Sequence, residues 1–193
     1  MYTDDARPED TRTAKQRMLA GEPYTPDAEL HAEYRSALAL TAQYSHTYVT
    51  DEQAARQLLP RLFGDVGDDV EVRPGLSVDY GWNISIGSGT FINNGLTALD
   101  CAPIRIGARC QLGPNIQLLT PTHPLDAAER RSGVEGAEPI TIDDDVWLGG
   151  GVIVLPGVSI GARTVVGAGA VVTKDLPSDV VAVGNPAKIV KRL

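Results

Sequence analysis

At 193 residues and a net charge of -8 at pH 7, the chain has room for one domain with an appendage and argues against a nucleic-acid surface, which needs clustered Lys and Arg. A hydrophobic fraction of 42% with 20 glycines describes a globular, bend-rich protein, and no apolar run approaches the roughly 18 residues of a membrane span. The opening MYTDDARPEDTRTAK is acidic and has no apolar centre, so a cytoplasmic location without a secretory signal is the default expectation.

Residues 1–60 read as a helical preface. Helices are expected over Asp10 to Ala20 and Asp27 to Tyr48, both rich in Ala, Leu, Glu and Arg. Between them Gly21-Glu22-Pro23-Tyr24-Thr25-Pro26 forms a turn, and Asp27 suits the cap of the second helix. A third, shorter helix is expected from Thr50 to Leu59, with Pro60 stopping it. His31 and His46 fall in or at the end of these helices and read as capping or solvated residues.

Residues 61–184 change period. From Ile142 the chain runs in hexads beginning Ile142, Leu148, Val154, Ile160, Val166 and Val172, with Val146, Val152, Val158, Thr164, Ala170 and Leu176 in fifth place. First and fifth positions share a face of an extended chain, and Gly and small polar residues take the bends. Three such sides make one coil, and stacked coils bury the aliphatic columns of a hexapeptide parallel β-helix. Earlier hexads are read from Pro74, Tyr80, Ile86 and Ile92, slip by two residues around Cys101-Ala102-Pro103, and resume at Ile106 and Leu112. Leu118 and Ile142 are a whole number of hexads apart, so residues 120–139 are expected to leave as a loop and return in register.

Residues 185–193 form a basic tail with Lys188, Lys191 and Arg192; this suits either a small anionic cofactor or plain solvation. Cys110 points inward in the hexad phase and Cys101 outward, so no disulfide is expected, and two cysteines make no zinc site.

Chemistry concentrates on His123, the one histidine of the repeat region, within Thr122-His123-Pro124 of the extruded loop. Long loops in compact repeat proteins are more often functional than idle, and imidazole exchanges protons near neutral pH. From the residues alone, a structural role and a general base both remain open. No nucleophile elbow, phosphate loop or dinucleotide fingerprint competes. A zinc hydratase on this scaffold would need more histidines than the repeats supply, so no metal is expected.

Several stretches are more specific: Met18-Leu19-Ala20-Gly21-Glu22-Pro23-Tyr24, Asp79-Tyr80-Gly81-Trp82-Asn83-Ile84, Phe91-Ile92-Asn93, Thr122-His123-Pro124, Val146-Trp147-Leu148-Gly149-Gly150, Val172-Thr173-Lys174-Asp175 and Gly184-Asn185-Pro186-Ala187-Lys188. Together they resemble the maltose O-acetyltransferase group of the hexapeptide acyltransferases, which includes galactoside and nodulation-factor acetyltransferases. The resemblance runs from about residue 17 to the end. It implies a left-handed helix, a hand that the spacing does not give, and transfer of acetyl from acetyl-CoA to a sugar hydroxyl.

By the same resemblance His123 is the general base, Asn93 lies in the acceptor and thioester site, and the Gly150 N–H faces the developing oxyanion. Many relatives have Ser where this chain has Gly150. Asp27, Asp79 and, more loosely, Glu135 match groups that hold sugar hydroxyls; read without it, Asp27 is a helix cap, Asp79 a corner residue and Asn93 a turn former. Gly150, Ala168, Thr173 and Lys174 match the CoA path, with Lys188 and Lys191 near its nucleotide. Cys101 stands where galactoside-type members have an acid. The implied assembly is a homotrimer with the site between subunits, His123 and Asn93 meeting across an interface. A xenobiotic acetyltransferase and a noncatalytic assembly subunit are the rival readings.

Overall fold

The computed structural model describes residues 11–193. Thr13 opens the first helix, Ala14–Leu19, through a capping box: its hydroxyl accepts from the Gln16 N–H while the Gln16 side chain accepts from the Thr13 N–H. The expected start at Asp10 lies outside the described residues. Asp27 caps the long helix Ala28–Thr50, accepting from the Leu30 N–H at 3.1 Å. Leu30, Ala37, Thr41 and Tyr44 recur at helical spacing and form its buried stripe. At the far end of that stripe the Tyr44 hydroxyl donates to the Val72 carbonyl, fastening helix to solenoid.

The third helix differs from expectation. Asp51 caps a short helix, Glu52–Arg56, and a separate turn of helix follows at Leu59–Leu62. Pro60 lies in the first turn of that last piece, where its missing N–H costs nothing, so it helps start a helix instead of stopping one.

Beyond the helices the chain winds as a parallel β-helix with three faces. The first carries Asp65–Val66, Ile84–Ile86, Ile104–Ile106, Ile140–Ile142 and Ser159–Ile160. The second begins with Glu71–Val72 and ends with Val180–Val183; the third runs from Ser77–Val78 to Val171–Val172. Strand pairing puts Ile86, Ile106, Ile142 and Ile160 in one column, and Ile92, Leu112, Leu148 and Val166 in another. These side chains are all but sealed from solvent. Each contributes about 1.5–3 kcal/mol by burial, so the columns hold the coils together.

Two sequence expectations need correction here. Coiling begins at Asp65–Val66, ahead of Pro74. Asp69 takes the left-handed corner conformation at φ 55°, and the corners stacked on it are Gly89, Arg109, Asp145, Arg163 and Asp179, so this place is mostly not glycine and gives no mark of the first coil. The early phase also differs: Leu76 and Val78 point inward, followed by Ile84 and Ile86, while Pro74 and Tyr80 do not occupy the core columns. Two extra residues therefore enter between Val78 and Ile84, as they do between Ala98 and Ile104.

The tail is likewise ordered. Lys188–Arg192 folds back as an antiparallel strand on Val180–Val183. Cys101 and Cys110 are both free and buried, Cys110 in the solenoid core and Cys101 in a separate cluster with Met18, Tyr24, Leu30 and Tyr80.

The loop leaves after Gln117–Leu119 and returns at Ile140–Ile142. Its stem is antiparallel, Pro121 opposite Ala137 and Thr122 opposite Gly136, and its tip is the short helix Ala127–Arg131 capped by Asp126. The Glu138 N–H donates to the Thr120 carbonyl at 2.9 Å, closing the stem. The solenoid resumes with Ile140 opposite Ile104, in register.

Candidate active site

The edge where the third face turns into the first accumulates insertions in successive coils: residues 79–83, then 99–103, then the loop 120–139. A fully buried carboxylate organises the first two. Asp100 accepts from the backbone N–H groups of Asp79, Tyr80 and Asn83 at 3.1, 2.8 and 3.2 Å. Burial pushes its carboxyl up, and the backbone N–H groups of Tyr80, Gly81 and Asn83 act against the rise. Thr120 does the equivalent work one coil on, donating to the Leu99 carbonyl at 2.6 Å and accepting from the Ala102 N–H at 3.0 Å.

On this frame lies a cavity of about 270 Å³ lined by Asp79, Glu135 and His123, with Tyr34 and His31 from the long helix and Cys101 from the inserted corner. The Cys101 thiol donates to the Asp79 carboxylate at 3.3 Å, and the Tyr24 hydroxyl donates to the Glu135 carboxylate at 3.2 Å. Burial is the main reason that the Asp79 carboxyl is pushed up to about 6; the nearby Asp100 and Glu135 charges add to the rise and the Cys101 hydrogen bond opposes it. The Cys101 thiol and the phenols of Tyr24 and Tyr80 are also pushed up, chiefly by burial. All three therefore stay protonated, and Cys101 and Tyr24 serve as donors to the two carboxyl groups. The arrangement suits a polyhydroxyl ligand beside a proton-accepting imidazole.

The remaining expected residues lie elsewhere. Asp27 lines an adjoining cavity of about 530 Å³ together with Arg17, Tyr24 and Val134. Asn93 sits at the edge between the second and third faces; its N–H donates to the Leu112 carbonyl and its side-chain oxygen accepts from the Asn94 N–H. Gly150 and Ala168 are on that same edge. The coils approach so closely there that a Cβ on Gly113 would come 2.6 Å from the Gly150 nitrogen, and one on Gly149 would come 2.5 Å from the Ala168 nitrogen. Thr173 and Lys174 follow the third-face strand Val171–Val172, and Lys188 and Lys191 lie on the exposed terminal strand. Within one chain, His123 thus joins Asp79 and Glu135, while Asn93 joins Gly150 and Ala168 one edge away. Neither cavity lined by His123 includes Asn93.

The sequence singles out neither His31 nor Tyr34 among the cavity residues. His31 reads as a capping or solvated residue and Tyr34 carries no mark beyond its place in the second helix, whereas Cys101 is noted by resemblance alone. His31 and Tyr34 are three residues apart on one helical face, four and seven residues after Asp27; that spacing was the available signal.

Residues 17–67 match the maltose acetyltransferase hexapeptide capping motif, and residues 139–174 match the bacterial transferase hexapeptide of six repeats. A galactoside O-acetyltransferase from Lactococcus lactis is 37% identical over 92% of this chain and 86% of its own length. The chain belongs to the hexapeptide-repeat acetyltransferases. Among solved members of that family, a maltose O-acetyltransferase from Clostridium difficile superposes with a TM-score of 0.92 at 42% identity, covering 95% of this chain and 99% of its own. A hexapeptide-repeat acetyltransferase from Vibrio cholerae, solved in complex with acetyl coenzyme A, gives 0.87 at 38% identity, covering 94% and 99%. Capping helices and repeats alike are therefore features of this acetyltransferase family rather than of this chain alone.

Proposed function

We propose that the protein transfers acetyl from acetyl-CoA to a hydroxyl of a glucose- or maltose-like saccharide, with His123 as the general base. The observation that carries this reading is the single cavity shared by His123, Asp79 and Glu135. Carboxyl groups fixed by neutral donors orient a polyol through its hydroxyls, and an imidazole within the same cavity accepts the proton of one of them. His123 takes that proton as the hydroxyl oxygen bonds to the thioester carbon, then returns it to the sulfur as the C–S bond breaks.

Residues of this chain suit the cosubstrate. The Gly150 N–H donates to no acceptor among the described residues, which leaves it free to hold the negative charge developing on the thioester oxygen. Lys174, Lys188 and Lys191 have no ion-pair partner among the described residues, so their charges are available to phosphate. Ala168 and Thr173 flank the strand between these groups. Asn93 lies an edge away from His123, so the reading includes a cytoplasmic homotrimer in which one subunit's Asn93 and Gly150 face the next subunit's His123, Asp79 and Glu135. Asp27, in the adjoining cavity, meets the more distant part of the acceptor.

The test is release of free CoA thiol from acetyl-CoA against glucose, maltose, galactosides, glucosamine oligomers and chloramphenicol. Release that depends on a glucose-type acceptor is expected. Release with chloramphenicol alone would transfer the assignment to a xenobiotic acetyltransferase.

A further inference from the structure

We propose that Tyr24 is a positioning residue for the acceptor site, fixing the loop that carries His123 and aiming the Glu135 carboxylate. The inference rests on the reading of His123 and Glu135 as groups of that site.

Tyr24 lies in Pro23-Tyr24-Thr25-Pro26, where a following proline holds Thr25 extended. An extended segment presents its N–H and carbonyl sideways, and Tyr24 uses both. Its N–H donates to the Glu135 carbonyl at 3.0 Å, and its own carbonyl accepts from the Glu135 N–H at 2.8 Å. Such a reciprocal pair is the narrow rung of an antiparallel ladder. The next residue, Gly136, is already opposite Thr122 in the loop stem. The two pairings join the preface to one arm of the loop, and that arm to the segment that ends at His123.

Contact in the stem is close. A Cβ on Gly136 would come 2.9 Å from the Thr122 hydroxyl, so displacement of the Glu135 arm is felt directly beside His123. The Tyr24 side chain adds a second restraint. The residue is 3% exposed, packed with Met18, Leu30, Tyr80 and Cys101, and its hydroxyl donates to the Glu135 carboxylate. One residue of the helical preface thus grips both backbone and side chain of a loop residue 111 positions away.

Two substitutions separate these grips. Tyr24→Phe keeps ring and backbone rung and removes only the hydroxyl. Loss of a hydrogen bond to a charged group predicts an acceptor KM about tenfold higher, with kcat and the KM for acetyl-CoA nearly unchanged. Tyr24→Ala removes the ring; amide exchange at Glu135 is then expected to accelerate at least tenfold and kcat to fall, while Tyr24→Phe leaves that exchange rate as it was. An unchanged acceptor KM in Tyr24→Phe overturns the aiming of Glu135. Unchanged Glu135 exchange in folded Tyr24→Ala overturns the fixing of the loop, and if that variant does not fold, Tyr24→Leu serves the same measurement. Exchange is read without acceptor or acetyl-CoA, so its outcome stands even if the CoA-release assay rejects the saccharide reading.

Discussion

The thiol of Cys101 and the carboxylate of Asp79 meet at 3.3 Å, joining two inserted corners of successive coils. The thiol is a weak donor in a place where a carboxylate has few others. Burial raises the Asp79 carboxyl, and the thiol opposes that rise without cancelling it.

This gives a pH prediction with a definite sign. The Asp79 carboxyl is pushed from an ordinary 3.8 to about 6, so the folded protein holds the proton more tightly than the unfolded chain does. The associated stability is full below about pH 4, declines as pH rises to about 6, and is gone above it. Asp79→Asn has no such proton to lose. Relative to this variant, the thermal midpoint of the parent should fall between pH 4 and 6 and then run parallel. Parallel curves throughout would show that the carboxyl titrates normally.

For the base, His123→Ala should lower turnover at least about a hundredfold, the usual worth of positioned proton transfer, with acetyl-CoA affinity little changed. Steady-state kinetics beside equilibrium CoA binding makes the comparison. Near-normal turnover would remove His123 from the mechanism.

The cations predict the complementary result. Lys174→Ala and Lys188→Ala should each raise the KM for acetyl-CoA and steepen nothing in the acceptor curve. Because these side chains are exposed, the parent's advantage should shrink as salt is added. CoA affinity unaltered in both variants would place the nucleotide elsewhere.

Two glycines of one corner should behave differently. A Cβ at Gly87 would lie 2.5 Å from the Ala108 nitrogen, backbone that has no room to yield, whereas at Gly89 the nearest neighbour is the flexible Arg109 side chain at 3.6 Å. Gly89→Ala costs mainly the left-handed conformation at φ 69°, about 1–2 kcal/mol. Gly87→Ala should cost clearly more, measured by denaturant unfolding of both.

The regular part of the fold was readable because each hexad from Ile142 onward places an aliphatic residue in the same column, and a missed step would break the pattern. Legibility failed where local chemistry substitutes for the rule. The corner at Asp69 carries no glycine to mark the first coil, and the residues inserted at 79–83 are themselves apolar enough to imitate a hexad, with Tyr80 in place of a core aliphatic. At the site, Thr122-His123-Pro124 stood out as a loop motif. Asp100, which anchors the neighbouring corner, did not, because an acidic residue outside a periodic position carries no mark of burial. Nor did the pairing of Tyr24 with Glu135, since nothing in a linear chain announces that the two will share a rung.

The loop stem is closed by the Glu138 to Thr120 bond before the first face resumes at Ile140. What hangs beyond that clasp is thereby uncoupled from the columns behind it. The coils act as a socket with a fixed footprint, and the tip helix Ala127–Arg131, which buries no residue, can be lengthened, shortened or exchanged without retuning the columns. New acceptor preferences can then arise at this edge while the stability of the stack is inherited unchanged.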